Sequence, residues 1–314
     1  MRIVTDPAGR FSIRATKRSV ELWIVQPIAF DKRPSWQASP DGPVAHMHSA
    51  LSELEPEKGD VLACVWACSD EEQRLDVENR LFTNVLPKFT GAPRGPNPFA
   101  GLPKRVRFER SYRCPRLDGF DTGPCTYCRY ALSDPGGSWE NWRAPEDSEP
   151  LASWLNVPAR GLTAGNGWPT WASMRHPGAQ VVARSASRPY RDEFALRLVI
   201  HSPRTLQLIA NMEWIVDGVV ASFQQEADPA RAEAVARLIR PCLKQHRQTH
   251  DLVAAQCTAP KVFADPPFRL NPSGSRCQIN PADHLLVAGE IELTVLPQCP
   301  CSALSGTLHQ VDRT

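Results

Sequence analysis

Two short apolar runs, each followed by a helical pattern, dominate the hydrophobic profile of the chain. The first run is Val61–Cys68, which is almost entirely apolar and is bounded by turn residues. A run of that length, rich in residues that favour strands, predicts a strand covered on both faces. Ser69 followed by Glu72 matches a capping box, so we expect a helix to begin there and to end before Pro87.

The second run is Phe194–His201, and the Ser202-Pro203 pair after it predicts a helix N-cap followed by a first-turn proline. Apolar residues then recur every three or four positions, at Leu208, Met212, Ile215, Val219 and Phe223. Gly218 costs such a helix about 1 kcal/mol, which indicates either close packing or an earlier helix end. Aligning Ser69 with Ser202 matches the two patterns without a gap and suggests an internal repeat. The alternative is the similarity that any two amphipathic helices share.

These patterns predict an α/β (α+β) fold, in which two similar strand–helix units pack around a mixed sheet with long loops rich in Pro, Gly and Trp. We expect a first α/β unit over 1–90, a loop-rich insertion with a cysteine cluster over 91–190, and a second α/β unit with C-terminal strands over 191–314. Further helices are predicted at Val44–Leu54, Glu149–Leu155 and Ala230–Ile239, the last capped by Asp228. Further strands are predicted at Val20–Ile28, Leu285–Val287 and Ile291–Leu296.

The composition is that of a globular protein. Of 314 residues, 42% are hydrophobic and 22% are charged. The net charge of +2 gives no overall basic field, so contact with nucleic acid would need a local basic patch. The N-terminus lacks an apolar signal segment, and no apolar run reaches the roughly 18 residues of a membrane span. We therefore expect a cytoplasmic protein without a membrane partner, whose cysteines are reduced.

An acidic motif, Asp76-Val77-Glu78-Asn79, follows the first apolar strand. Helical spacing places Glu78 on the apolar side of the predicted helix, together with Leu81. A carboxylate on an apolar face is costly unless it has a partner or a metal ion. The alternative is a solvated first turn in which acidic residues are stabilised by the helix dipole.

A basic segment, Lys104–Arg113, alternates cationic with apolar residues and predicts a strand with one cationic face. Its candidate nucleic-acid-binding residues are Lys104, Arg105, Arg107, Arg110 and Arg113. A surface for DNA or another acidic partner is one interpretation, and an ordinary solvated strand face is the other.

The cysteines at 114, 125 and 128 suggest a zinc site. Cys125 and Cys128 have the two-residue gap that lets both thiolates reach one zinc ion, and Cys114 could be a third ligand. A fourth ligand, such as His176, Cys299 or Cys301, would have to approach through the fold. Reduced structural thiols are the alternative.

Tryptophans are concentrated in the loop-rich residues 133–193, at Trp139, Trp142, Trp154, Trp168 and Trp171. Such side chains can stack on bases or form a protein-interaction surface. More often they hold long loops in place.

The strand leading into Asp76-Val77-Glu78-Asn79 resembles the RusA family of crossover-junction endonucleases. That family carries Asp-x-Asp-Asn at such a junction and holds magnesium with carboxylates. Lys32-Arg33-Pro34 near the N-terminal strand is in keeping with the family. The resemblance implies that Asp76 and Glu78 are catalytic magnesium ligands and that Asn79 orients the motif.

The chain departs from the family pattern at several positions. Glu78 replaces the second Asp, and Phe82 stands where the family has a lysine. A later acidic residue of the family would correspond to Asp217, but only through the second strand–helix unit. Family members act as dimers, and two similar units in one chain would take the place of the two subunits. Loss of the lysine also allows a non-catalytic relative.

Two functions are therefore expected from the sequence. The first is a magnesium-dependent endonuclease on structured DNA, with Asp76, Glu78 and either Asp217 or Asp283 as its carboxylates. The second is a non-catalytic nucleic-acid-binding or protein-interaction scaffold stabilised by zinc.

Overall fold

The computed structural model describes the chain apart from residues 29–33, 69–75, 84, 87–96, 118–125, 146–147, 164, 185–188, 227, 244–248, 259–261, 272 and 274–275. The fold is mixed α+β, as predicted, with a large mixed sheet. The chain divides into two compact units. The first comprises Met1–Arg143, Val287–Glu290 and Arg313–Thr314, and the second comprises Ala144–Leu286 and Ile291–Asp312.

The secondary structure of the described residues consists of fifteen strands, six helices and three short helical turns. The strands are β1 (Arg2–Thr5), β2 (Phe11–Ala15), β3 (Ser19–Ile24), β4 (Val61–Cys68), β5 (Arg105–Ser111), β6 (Thr126–Ser133), β7 (Trp142–Arg143), β8 (Ala152–Ala159), β9 (Gln180–Ala183), β10 (Phe194–Ser202), β11 (Phe268–Leu270), β12 (Cys277–Ile279), β13 (Leu286–Val295), β14 (Ser302–Gln310) and β15 (Asp312–Arg313). The helices are α1 (Ser35–Ala38), α2 (Pro43–Ser52), α3 (Trp168–Met174), α4 (Leu208–Ser222), α5 (Pro229–Ile239) and α6 (Thr249–Thr258). A π-helical turn covers Asn79–Thr83, and 3-10 turns cover Arg240–Leu243 and Asp283–Leu285.

The first unit is built on strands in the order β1-β2-β3-β6-β4-β5, to which Val287–Glu290 of β13 are added. Strand β4 pairs parallel with β5 and antiparallel with β6. The strand predicted at Val61–Cys68 is confirmed with the same bounds, and most of its side chains are buried. Apolar residues cover both of its faces, which is why its sequence reads as a nearly continuous apolar run.

The π-helical turn packs on one face of this sheet. Phe82 contacts Phe108 of β5 and Tyr130 of β6 edge-on, with ring centroids 6.1 and 6.4 Å apart. Alternation along the strands places Cys64 and Cys128 on the same face. The residues that follow the acidic motif are therefore fixed by an aromatic cluster.

Several boundaries in the first unit differ from the sequence expectations. The helix predicted at Val44–Leu54 is confirmed as α2, but the strand predicted at Val20–Ile28 ends at Ile24. The predicted helix start at Ser69 lies outside the described residues, and the described helical segment begins at Val77. Strands β1, β2 and β6 were not predicted.

The second unit has the strand order β13-β10-β14-β8-β9, to which β13 contributes Leu286 and Ile291–Val295. Helices α3 and α4 pack closely at Gly218. A Cβ atom there would lie 2.5 Å from the main-chain oxygen of Gly167 and 2.6 Å from the Cβ of Thr170. Close packing therefore explains why a glycine stands at this position, although glycine is costly within a helix.

Two predicted helices of the second unit need correction. The helix expected to begin at Pro203 begins at Leu208, because β10 continues through Ser202. Ser202 is buried, and its hydroxyl accepts a hydrogen bond from Ser302 at 3.2 Å. The helix expected at Glu149–Leu155 is wrong, because Ala152–Ala159 form strand β8 paired with β14.

The helix predicted at Ala230–Ile239 is confirmed as α5. Its predicted cap is also present, since Asp228 Oδ1 accepts a hydrogen bond from the main-chain nitrogen of Ala230 at 3.0 Å. The two C-terminal strands predicted at Leu285–Val287 and Ile291–Leu296 form one strand, β13, through Gly289. A Cβ atom at Gly289 would lie 2.2 Å from Phe108, so only glycine fits there.

The residues 91–190, which the sequence analysis set apart as an insertion, contribute to both units. Strands β5 and β6 belong to the first unit, while β8, α3 and β9 belong to the second. Because β5 and β6 both pair with β4, this stretch is part of the sheet. In the part of the chain that the structure describes, no helix is long and apolar enough to cross a membrane.

Candidate metal centre

The carboxylates of Asp76 and Glu78 lie close together in the first unit. An oxygen of each is within 4.8 Å of an oxygen of the other. Glu78 is buried, with 1% of its surface exposed, and Asp76 is half-buried. Two carboxylates at this separation repel each other unless a cation or a proton is present. The pair is therefore a candidate for binding a positive ion.

The local fold positions this pair through the residues that follow it. Val77 and Leu81 are fully buried, and the Tyr130 hydroxyl donates a hydrogen bond to the main-chain oxygen of Leu81. Val77 and Glu78 are helical, and the π-helical turn begins at the next residue. A π-helical turn has one residue more per hydrogen-bonded ring than an α-helix and often occurs at functional sites.

Asn79 holds the Asp76 side chain. Its Nδ2 donates a hydrogen bond to Asp76 Oδ2 at 3.1 Å. This contact leaves the other oxygen of Asp76 to a ligand and agrees with the orienting role that the family resemblance implies for Asn79. The geometry brings together the two carboxylates and the amide of the acidic motif.

Arg80 supplies a positive charge beside the motif. Burial lowers the pKa of Arg80, while the nearby Cys128, Cys68 and Asp76 act in the opposite direction. One of its terminal nitrogens donates a hydrogen bond to the main-chain oxygen of Ile28 at 3.3 Å. Arg80 was not among the residues predicted from the sequence, although its place directly after the motif is a signal that could have indicated it.

The donor set favours a hard divalent cation. Carboxylate oxygens are the ligands of magnesium, calcium and manganese, whereas zinc and copper prefer nitrogen and sulfur. The residues present therefore fit magnesium.

Scans against protein-family models, curated proteins and solved structures find no match to the chain. The likeness to RusA endonucleases accordingly stays a resemblance.

The two further carboxylates suggested by the sequence lie in the second unit. Asp217 is half-buried on α4. Asp283 is buried on the 3-10 turn Asp283–Leu285, directly before β13. Their part in a metal site stays a prediction. Lys32 and Arg33, which the resemblance also used, lie outside the described residues.

The basic strand does not present the cationic face that its sequence suggested. Arg107 and Arg110 are only 5% and 3% exposed. Arg105 and Arg107 both contact Glu290, at 2.7 and 3.4 Å, and Arg110 lies over the ring of Trp66. Glu290, about 180 residues later in the chain, and Trp66 allow these arginines to be buried. No local sequence pattern indicates either contact. Of the five predicted residues, Lys104 and Arg113 are exposed.

The structure does not bring Cys114 and Cys128 together. Cys128 is buried on the face of the sheet that also carries Cys64, and burial raises the pKa of its thiol to about 12. Cys114 packs against Tyr127 and Trp23, and the side chains of Tyr127 and Cys128 point to opposite faces. Cys125 lies outside the described residues. The two described cysteines therefore sit on opposite sides of one sheet.

The tryptophans form part of the core. Trp139, Trp142, Trp154, Trp168 and Trp171 are all no more than 7% exposed. Trp171 Nε1 donates a hydrogen bond to Gln256 at 3.0 Å, and Trp168 stacks on Phe268. These residues fix loops and helices, as the structural interpretation predicted, and do not form a contact surface.

Proposed function

We propose that Asp76 and Glu78 bind a divalent cation and that the protein is a magnesium-dependent endonuclease acting on structured DNA. The observation that supports this proposal is the pair of carboxylates within 4.8 Å of each other, one of them on a buried side chain. The motif's resemblance to RusA endonucleases gives the reaction and the class of substrate.

The electrostatics of the pair argue for a bound cation. At about 5 Å and an effective dielectric constant near 20, two negative charges repel by roughly 3 kcal/mol. A divalent ion reverses this repulsion, because both carboxylates then face a larger positive charge. A bound divalent ion would therefore add to the positive charge that Arg80 places near Asp76.

Each residue of the motif has a role in this proposal. Asp76 and Glu78 hold the ion, and Asn79 fixes the rotamer of Asp76 through its 3.1 Å hydrogen bond. Arg80 adds positive charge near Asp76, where a phosphate group would need it. When bound, magnesium would lower the pKa of the attacking water and polarise the scissile phosphate. Asp217 or Asp283 is the proposed third carboxylate.

We also propose the internal repeat that the sequence suggested. Strand β4 leads to the helical segment that starts at Val77, and β10 leads to α4. Each strand is strongly apolar and ends at or next to a serine. The common order of elements supports an origin by duplication. The two units of one chain would then correspond to the two subunits of a dimer in the resembled family.

Metal binding is tested by thermal unfolding of the purified protein with and without magnesium. We expect magnesium to raise the melting temperature of the wild type and to have no effect on Asp76→Asn or Glu78→Gln. Glu149→Gln is the matched control, because Glu149 is exposed. An unchanged magnesium response in both motif variants would overturn the metal site. The variants Asp217→Asn and Asp283→Asn then test which residue is the third ligand.

Catalysis is tested on a labelled four-way DNA junction. We expect magnesium-dependent cutting by the wild type and by Glu149→Gln, and none by Asp76→Asn. Cutting that survives Asp76→Asn would show that the active residues lie elsewhere.

A non-catalytic scaffold is the second candidate, and one observation favours it. Phe82, at the position of the family's lysine, is 1% exposed and packs in an aromatic cluster with Phe108 and Tyr130. No cation can replace it there without disrupting the core. Magnesium-dependent stabilisation without cleavage of the junction would support this candidate. Zinc found by metal analysis would require ligands other than Cys114 and Cys128 acting together, because these two lie on opposite sides of the sheet.

A further inference from the structure

The connection between β13 and β14 in the second unit carries two thiols separated by one proline. Strand β13 ends at Val295, and β14 begins at Ser302. Cys299, Pro300 and Cys301 lie between them, and we call these three residues the thiol loop. Both cysteines are free and half-buried, so a ligand from solvent can reach their sulfur atoms.

The thiol loop is anchored on both sides to Ser202, the buried last residue of β10. Before the loop, the main-chain nitrogen of Leu296 donates a hydrogen bond to the main-chain oxygen of Ser202 at 2.8 Å. After it, Ser302 Oγ donates one to Ser202 Oγ at 3.2 Å. The main-chain nitrogen of Cys299 also donates to the oxygen of Leu296 at 3.0 Å and closes a turn. The sheet therefore fixes the loop without the help of a ligand.

The spacing of the two cysteines places both sulfur atoms within reach of one ion. Pro300 has a fixed φ angle and restricts the backbone of Cys299 before it, so the loop has few conformations. Two residues of chain span at most about 7 Å between Cα atoms. The chain also bends at Pro300 and Cys301, which shortens that distance. Two cysteine side chains that start this close together can both contact the same ion.

The strand ends beside the thiol loop offer sulfur but no carboxylate oxygen. Ser302 is hydrogen-bonded to the end of β10 and lies opposite Ala159 at the end of β8. The segments 157–163, 200–207 and 293–304 contain no Asp or Glu, and their charged residues are Arg160 and Arg204, both exposed. Hard divalent cations prefer oxygen ligands, whereas thiolates select soft ions such as Cu(I). The two arginines would offset the negative charge that two thiolates keep after binding a monovalent ion.

The number of ligands separates Cu(I) from zinc at this loop. Among the described residues, no third histidine, cysteine or carboxylate joins the two thiols in a group of ligand atoms within 4.8 Å of one another. Structural zinc is almost always held by four ligands in a tetrahedron, which the thiol loop does not supply. Cu(I) is stable with two thiolates alone, so the loop matches the coordination that this ion needs.

We propose that the thiol loop binds one Cu(I) ion through the thiolates of Cys299 and Cys301. Each thiol releases its proton to solvent when the ion binds, and the copper stays in the Cu(I) state. The proposal goes beyond the endonuclease function, because the site lies in the second unit and uses no residue of the acidic motif. It assigns a role to a cysteine pair that the carboxylate site leaves unused.

The test is an anaerobic titration of the full reduced chain with Cu(I), in which bathocuproine disulfonate is the coloured competitor. We expect Cys299→Ser and Cys301→Ser each to weaken the tightest Cu(I) site by about a hundredfold or more, since losing even an indirect metal contact costs up to that factor. The control Cys257→Ser/Cys277→Ser removes two half-buried thiols of the same unit and should leave the affinity unchanged. If a serine variant does not fold, as judged by its melting curve, the alanine variant at that position replaces it.

X-ray absorption at the copper edge of the loaded protein should show sulfur ligands without nitrogen. Three results would overturn the proposal: wild-type Cu(I) affinity in both folded single variants, nitrogen ligands on the copper, or equal occupation of the loop by zinc when both metals are supplied. Failure of the carboxylate site is distinguishable. Asp76→Asn should bind Cu(I) like the wild type, and Cys299→Ser/Cys301→Ser should keep the stabilisation by magnesium.

Discussion

The Tyr130 hydroxyl donates a hydrogen bond to the main-chain oxygen of Leu81, and both residues are fully buried. The bond joins the centre of β6 to the π-helical turn that follows the acidic motif. Burial raises the pKa of Tyr130 well above its usual value, so the hydroxyl stays a donor throughout the physiological pH range. This hydrogen bond fixes the main chain three residues after Glu78 relative to strand β6.

Removing that hydroxyl should loosen the motif. We expect Tyr130→Phe to lower the free energy of unfolding by about 1–3 kcal/mol, because the buried carbonyl of Leu81 loses its donor. It should also reduce the stabilisation by magnesium. Tyr190→Phe is the control, since it removes a hydroxyl that donates a hydrogen bond to the main-chain oxygen of Glu193 at 2.9 Å in the second unit. A full magnesium response in Tyr130→Phe would show that the bond does not position the motif.

The repulsion between Asp76 and Glu78 should appear as a coupling energy in the metal-free protein. In EDTA we expect the effects of Asp76→Asn and Glu78→Gln on the free energy of unfolding to be non-additive by about 1–3 kcal/mol, because either substitution alone already removes the repulsion between carboxylates within 4.8 Å of each other. Chemical denaturation of the wild type, the two single variants and the double variant measures this coupling. Additive effects would show that the two carboxylates do not interact in the absence of a cation.

The ion pair of Asp6 and Arg10 predicts a pH dependence of stability. Two hydrogen bonds from the Arg10 guanidinium, at 2.8 and 2.9 Å, lower the pKa of Asp6 to about 2. A carboxyl with a lowered folded pKa stabilises the fold above its unfolded pKa near 4 and loses that contribution as the pH falls towards 2. Asp6→Asn should therefore cost about 1 kcal/mol or less at pH 7, since Arg10 is partly solvated, and only a small part of that at pH 2.

Urea unfolding of Asp6→Asn and the wild type at pH 7, 4 and 2 measures this difference. Arg10→Gln should show the same pH dependence, because it removes the other partner. A difference that is constant from pH 7 to pH 2 would contradict the assignment.

Gly218 should not tolerate a side chain. We expect Gly218→Ala to lower the free energy of unfolding by about 1–3 kcal/mol, although alanine favours a helix, because the new Cβ would meet main-chain atoms of α3. Gly136→Ala is the control, since its Cβ would lie 3.5 Å from the Asp134 side chain. Equal stability of the two variants would show that α3 moves to accommodate the methyl group.

The parts of the fold that could be predicted from the sequence are those whose signals are local. Strand β4 is nearly all apolar because both of its faces are covered, and α5 has an Asp-Pro start that fixes its first turn. Strand β1 was not predicted because it is an edge strand whose side chains are mostly exposed, so its sequence shows no apolar run. Strand β2 was not predicted because Ser12 and Arg14 interrupt its apolar residues, although four of its five side chains are buried. Their pairing with each other and with β3 decides their structure.

Long-range contacts explain the errors. The segment Glu149–Leu155 suggests a short helix by itself, but the pairing of Ala152 with Leu308 makes it a strand. Ser202 and Pro203 are residue types that often begin a helix. In the structure, however, the Ser202 hydroxyl accepts a hydrogen bond from Ser302, and the helix begins six residues later, at Leu208. At the candidate site, the spacing of Asp76 and Glu78 was visible in the sequence. The burial of Arg107 was not, because it depends on Glu290.

Strand β13 gives Val287–Glu290 to the first unit, whose other residues are Met1–Arg143 and Arg313–Thr314. During synthesis, β5 must therefore wait until more than a hundred further residues have left the ribosome before its neighbour arrives. Until then the edge of β5 lacks its partner strand, and an unpaired strand edge is a site at which other chains can pair. A truncation after Arg143 would remain permanently in that incomplete state.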